Sequence, residues 1–220
     1  MKPVKTWIAG LDEFLLGGLP PKIILLSGAP GSGNEVFARQ VLFSFVRQAG
    51  GFVTYFTVNA SIESVREEMA SYGWDTVPFE EAGTWKFKNL QTSSAAELQE
   101  IVIEEMKQRR AIAVDSISEL LLTHKTREIA QLVTSMTHQN RKCEEFHFLL
   151  LTEGMQDTQA ETTMNHFAEG SMNFNITWAA DATMRQLIIR KLSGTIVPTR
   201  RLTYTLGRKG IIIETATRIT

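Results

Sequence analysis

Residues 27–40, "SGAPGSGNEVFARQ", carry most of a phosphate-binding loop, whose pattern is G-x-x-x-x-G-K-[ST] between a buried strand and a helix. Gly28 and Gly33 hold the two glycine positions, and Gly31 and Gly33 permit the tight backbone path that turns N–H groups inward. The two positions that do the chemistry are changed. Asn34 stands where a lysine would meet the β- and γ-phosphates, and Glu35 where a hydroxyl would hold Mg²⁺. Asn34 can donate hydrogen bonds but carries no charge. Glu35 sets a carboxylate against phosphate: like charges roughly 4 Å apart repel by about 4 kcal/mol at an effective dielectric near 20. Left unneutralised, that weakens binding on the order of a thousandfold. One rescue is open, because carboxylates are good Mg²⁺ ligands and Glu35 with Asp115 can be imagined holding the ion.

Asp115 ends the apolar run "AIAV", which puts a carboxylate at the carboxyl end of a strand. It reads either as a Mg²⁺ ligand or as the cap of the helix that follows. His124, His138, His147 and His166 show no metal spacing with one another or with Cys143. Cys143 has no neighbouring motif that would make it a nucleophile. The acidic pairs Glu80-Glu81, Glu104-Glu105 and Glu144-Glu145 read as solvated faces. "TRRLTYTLGRKG", residues 199–210, is the one basic cluster, with Arg200, Arg201, Arg208 and Lys209 around Tyr204.

These residues must be positioned by alternating elements. Strands are expected at Ile23–Ser27, Phe52–Val58, Trp85–Leu90, Ala111–Asp115 and Phe146–Thr152. Helices are expected at Glu35–Gln48, Ser61–Tyr72, Ser94–Arg109 and Thr126–Lys142. Ser94 with Glu97 forms a capping-box pattern, and Gly73 closes the second helix. After about residue 170 the helical pattern stops. "SMNFNITW", "MRQLIIRKL", "RLTYTL" and "GIIIE" read as successive antiparallel strands. The expected architecture is α/β: a mostly parallel central sheet flanked by helices, with antiparallel strands at the C-terminal end. The 220 residues fit a single domain, 1–220. A net charge of −1 gives no global case for nucleic acid, one cysteine suits a reducing compartment, and no apolar run approaches a membrane span. A cytoplasmic protein with no membrane partner is expected.

The opening "GLDEFLLGGLPPKIILLSGAPGSG" resembles the start of KaiC-like domains in the RecA superfamily of P-loop ATPases. Three further stretches agree: "SYGWD" (71–75), "RRAIAVDSISEL" (109–120), similar to the family's Walker B strand, and "LIIRKLSGT" (187–195), similar to its "K-[ML]-R-G" strand. The resemblance covers essentially the whole chain and implies a RecA-like P-loop fold with nucleotide at the carboxyl ends of the strands. It also implies a pair of catalytic glutamates thirteen residues before Gly73. Asn59 and Ala60 occupy those positions. Glu67 and Glu68, two turns further on, read as a solvated helical face. In ring-forming relatives the lysine and arginine of "K-[ML]-R-G" reach the neighbouring subunit's γ-phosphate; here Lys191 remains as the inter-subunit candidate and Ser193 replaces the arginine.

Loop, base and late strand have each lost parts of one machine. The expectation is a degenerate nucleotide site at Gly28, Gly31, Ser32, Gly33, Asn34 and Glu35, with no catalytic residue and Asp115 as the Mg²⁺ candidate. ATP or ADP would bind weakly if at all, and Mg²⁺ only with nucleotide. The leading function is a regulatory or scaffolding pseudo-ATPase that associates with a protein partner or a paralogous KaiC-like subunit. The runner-up is a nucleotide-binding signalling switch with little turnover. The third is a recombination accessory that binds single-stranded DNA through residues 199–210, as RadA-paralogue relatives do, by basic grooves with aromatic stacking. A charged hairpin protecting a sheet edge is the favoured reading of that cluster.

Overall fold

The computed structural model describes residues 3–91, 94–178, 183–194 and 200–214. Nine strands form one sheet: β1 (Ile23–Gly28), β2 (Val53–Thr57), β3 (Trp85–Asn89), β4 (Ala111–Asp115), β5 (His147–Thr152), β6 (Gly170–Trp178), β7 (Thr183–Leu192), β8 (Leu202–Gly207) and β9 (Gly210–Ile213). Their order is β3-β2-β4-β5-β1-β6-β7-β8-β9. The strands from β3 to β6 in that order are parallel, and β7, β8 and β9 follow as an antiparallel meander. The expected fold class is therefore the observed one. β1 is buried along its whole length, which is why its sequence is a continuous apolar run rather than an alternating one.

The four expected helices are present: α2 (Asn34–Ala49), α3 (Ile62–Ser71), α5 (Ala95–Lys107) and α7 (Thr126–Cys143). Ser94 caps α5 by accepting the Glu97 N–H, and Gly73 takes a left-handed φ of 80° just after α3. Four shorter helices, α1 (Leu11–Phe14), α4 (Val77–Glu81), α6 (Ile117–Thr123) and α8 (Thr158–Phe167), are additional to these, α6 alone being implied by the capping reading of Asp115. Three of them are too short for a helical period to emerge from the sequence. All but α8 are seven residues or fewer. The late strands match the expected meander; Thr195 and Thr199, at the ends of two quoted stretches, lie outside the described residues.

The core lies in two layers. On one face of the sheet α2 packs with Phe37, Val41 and Leu42 against Phe148, Phe174 and Tyr204. On the other, α5, α6 and α7 cover Leu25, Phe56, Val114 and Leu149. The β8–β9 hairpin lies against α2, where Gln40 Nε2 donates to the Ile211 carbonyl at 3.4 Å and Gln40 Oε1 accepts the Ile211 N–H at 2.7 Å. No helix of the described residues is long and apolar enough to cross a membrane.

Candidate functional site

The carboxyl ends of β1, β4 and β5 and the start of α2 enclose a cleft of about 310 Å³. Gly28, Gly31, Asn34, Glu35, Arg39 and Asp115 line it, with Ala60, Glu68 and Glu119 at its rim. Open α/β sheets place ligands at this position. Gly31 and Gly33 adopt φ of 78° and 90°, the left-handed backbone that the tight loop requires. Gly28 admits no side chain, since a Cβ there would stand 2.2 Å from Ser32 Oγ.

The loop is braced from outside by the meander. The Tyr204 hydroxyl donates to the Ser32 carbonyl at 2.5 Å, and Arg185 Nε and Nη2 each lie 3.3 Å from the Gly31 carbonyl. Leu206 covers Gly33 so closely that a Cβ would come within 2.8 Å of it. Tyr204 is thus buried beneath the loop and presents no face on which a base could stack. Arg208 and Lys209 sit in the exposed turn between β8 and β9, which fits a charged guard at a sheet edge.

Inside the cleft, the side chains at the two changed loop positions are engaged within the chain itself. The Asn34 amide turns inward and donates to the carbonyls of Leu26 at 3.1 Å and Leu151 at 3.5 Å. It ties the start of α2 to β1 and β5 instead of facing the mouth. Glu35 lies over the helix N-terminus; burial raises its pKa, opposed by a hydrogen bond from its own backbone N–H and by Arg39. A carboxylate thereby holds the positive end of the helix dipole, where phosphate would sit.

Arg39 was missed in the sequence. Its side chain is buried among apolar neighbours on α2, and its Nη2 donates to Asp115 Oδ2 at 3.0 Å. Its Nη1 pairs with Glu68 and its Nε donates to the Tyr55 hydroxyl at 3.0 Å. The Tyr55 hydroxyl in turn donates to Asp115 Oδ2 at 2.5 Å. Burial works against the charge on Arg39, but Tyr55 and Asp115 outweigh it and its pKa is raised. The Tyr55 pKa is raised as well, chiefly by burial. A signal existed: an arginine one helical turn beyond Glu35, inside the run Val36, Phe37, Val41 and Leu42, needs a buried partner.

Several readings change accordingly. Glu68 does not stand on a purely solvated face, since its carboxylate closes the arginine cluster. Asp115 does not cap α6. Ser116 does, accepting the Glu119 N–H at 3.4 Å. Lys191 donates to the carbonyls of His166 at 2.9 Å and Ala168 at 2.5 Å, closing the C-terminal end of α8 within its own chain. Asn59 and Ala60 bring no carboxylate to the cleft. Glu119 does line it, and its Oε2 accepts the Asn59 N–H at 3.3 Å.

Tested against Mg²⁺ and a nucleotide triphosphate, the donor set does not fit. The carboxylate best placed for the ion is held by a guanidinium and a phenol, and the uncharged Asn34 stands at the position of the lysine. Among the described residues no three His, Cys, Asp or Glu side chains are grouped to hold a metal ion.

Comparison with known proteins adds the lineage. A family model described as "ATPase: KaiC" matches residues 4–218. A UPF0273 protein of Pyrococcus horikoshii is 28% identical over 233 residues, covering 96% of this chain and 93% of the relative. One from Thermotoga maritima is 26% identical over 233 residues, covering 97% and 96%. The crystal structure of a KaiC-like protein from Pyrococcus horikoshii OT3 superposes with a TM-score of 0.83 at 21% identity, covering 97% of this chain and 99% of that one.

Proposed function

This chain belongs to the KaiC family of ATPases, and from that premise we propose that it is a member without ATP turnover, acting as a regulatory or scaffolding subunit through protein association. The observation that carries the reading is the contact between Arg39 and Asp115, with Nη2 at 3.0 Å from Oδ2. An internal cation occupies the carboxylate that a catalytic member would use for its metal, while Asn34 and Glu35 fill the loop. Hydrolysis needs a metal, a phosphate-binding cation and a base together. The reading is supported by Asn34, which brings no charge to the loop, by Asp115, which is committed to Arg39, and by the absence of a carboxylate at residues 59 and 60. A KaiC fold whose cleft residues are paired with one another keeps its outer surfaces, and association with a partner or a paralogous KaiC-like subunit, in the cytoplasm, is the work those surfaces can do.

A second reading, a nucleotide-sensing switch, draws on one observation: Gly31 and Gly33 keep the left-handed backbone of a phosphate cradle. The single-stranded DNA reading loses its aromatic component, because Tyr204 is buried. Phosphate release by the purified protein distinguishes the first two from an active enzyme. No release above a buffer blank is expected. Turnover abolished by Asp115→Ala would overturn the proposal, whereas turnover that survives that substitution marks a contaminant.

A further inference from the structure

The β6–β7 hairpin is longer than the sheet it belongs to. β1 ends at Gly28, opposite Phe174, and β6 continues through Asn175, Ile176, Thr177 and Trp178. Four residues at about 3.3 Å each make an arm that overhangs the carboxyl edge of the sheet by about 13 Å. β8 supports the other side of β7 only from Arg185 onward, where Arg185 pairs with Tyr204. Near its end the arm carries Trp178 at 72% exposure, on the face that it shares with Ile176 and with Thr183 and Arg185 of β7, while Met184, 50% exposed, lies on the other face opposite Thr177. Arg185 follows directly. A tryptophan 72% exposed on a projecting ribbon is costly to leave in water, and exposed apolar surface of this kind marks contact sites.

On the same carboxyl edge, beyond the cleft, the ends of β2 and β3 meet α6 in a groove of about 350 Å³. Val58, Leu90 and Leu120 form its apolar floor, and Asn59, Gln91 and Glu119 its polar rim. Leu122, 62% exposed, continues the apolar surface along α6. The groove is large enough for an indole ring and carries an acid, Glu119, at its rim.

Charge is divided in the same way. Residues 59–107, which build α3, α4, β3 and α5, hold ten acidic and four basic side chains. Residues 171–214, which span β6 to β9, hold seven basic and two acidic ones. The chain thus carries both halves of a complementary pair, an apolar knob in basic surroundings and an apolar-floored groove in acidic ones.

We propose that the β6–β7 arm of one copy docks in the β2–β3–α6 groove of a second copy of this chain, with Trp178 in the groove and Arg185 on Glu119 through Nη1, the guanidinium nitrogen that its contacts with the Gly31 carbonyl leave over. Knob and groove share one edge of the sheet. A two-fold axis across that edge therefore seats both arms at once and closes the assembly as a dimer. The inference rests on the association reading of function and names the surface that performs it. The dimer also covers both nucleotide clefts, so its formation needs no bound phosphate.

Light scattering of the full chain over a dilution series tests this, with tryptophan emission followed in parallel. The expected result is a dimer that dissociates on dilution, with emission moving to shorter wavelength as Trp178 leaves water. Trp178→Ala, at a side chain that supports nothing in its own chain, weakens the dimer about thirtyfold, the size of an aromatic hot spot. Glu119→Arg and Arg185→Glu each weaken it, and the two together on one chain restore it. A monomer at every concentration overturns the proposal. So does a dimer indifferent to Trp178→Ala, or charge reversals that fold but do not compensate. Phosphate release is measured on the same samples. Turnover would remove the non-catalytic reading and leave the dimer result standing, while a non-hydrolysing monomer would do the reverse.

Discussion

Arg39 is the residue on which the cleft depends. It is a buried guanidinium with three partners, and its removal leaves Asp115 uncompensated beside a buried phenol. Breaking one side of a buried pair costs about 3–5 kcal/mol, so Arg39→Met is expected to lower the urea-unfolding free energy by that amount. Glu68→Gln, at a carboxylate 61% exposed, is expected to cost about 1 kcal/mol or less because solvent screens the pair. Comparable losses for the two would mean that Asp115 is not the main partner. The loop allows a complementary test. Asn34→Lys with Glu35→Thr removes the charge conflict while Gly31 and Gly33 keep the cradle. A fluorescent ATP analogue is then expected to bind measurably, without hydrolysis, since residues 59 and 60 return no base. A folded double variant that binds no better than the parent would show that the cradle itself is lost.

The joint of β4 and β5 rests on a side chain. Main-chain pairing there sets Ala113 opposite Phe148 and Val114 opposite Leu149. Below it, His147 Nδ1 accepts the Ile112 N–H at 3.1 Å, and Nε2 meets Asn140 Oδ1 at 3.0 Å. An acceptor at Nδ1 and a donor at Nε2 define a neutral imidazole. Burial pushes its pKa down to about 3, from an ordinary value near 6.5. The unfolded chain therefore binds a proton that the folded chain refuses, and stability rises with pH across that interval. The contribution is complete above about pH 6.5 and is lost as pH falls toward 3. Urea midpoints measured between about pH 7 and pH 5 are expected to fall with acidity, with a shallower slope in His147→Asn. An unchanged slope would assign the acid sensitivity to carboxylates elsewhere.

The assembled molecule is expected to ignore nucleotide. A ligand shifts an assembly only through its differential affinity for the associated state, and the cation that lines this cleft, Arg39, is already paired with Asp115 and Glu68. Light scattering with and without ATP and Mg²⁺ is expected to give the same small oligomer. A hexamer that appears only with ATP would overturn this and favour the nucleotide-switch reading. Association without nucleotide leaves a mixed assembly with a paralogous subunit open to the same surfaces.

The fold was legible because its signals are local. Apolar runs such as "IILL" and "AIAV", the glycines at 31, 33 and 73, and the apolar period of α2 each act within a few residues. The loss of lysine and glutamates at positions 34, 59 and 60 was equally plain. Short helices such as α1 and α4 were not, because one or two turns carry no period. What filled the emptied site lay further out of reach. Arg39, Tyr55, Glu68 and Asp115 are 13 to 76 residues apart in the chain, and only the stacking of α2, α3, β2 and β4 brings them together. Tyr204 reads as a surface aromatic among arginines until β8 folds beneath the loop and buries it. A residue's type sets what it can bond to, but its partner is chosen by the packing of distant elements, and that choice is written in no short stretch of sequence.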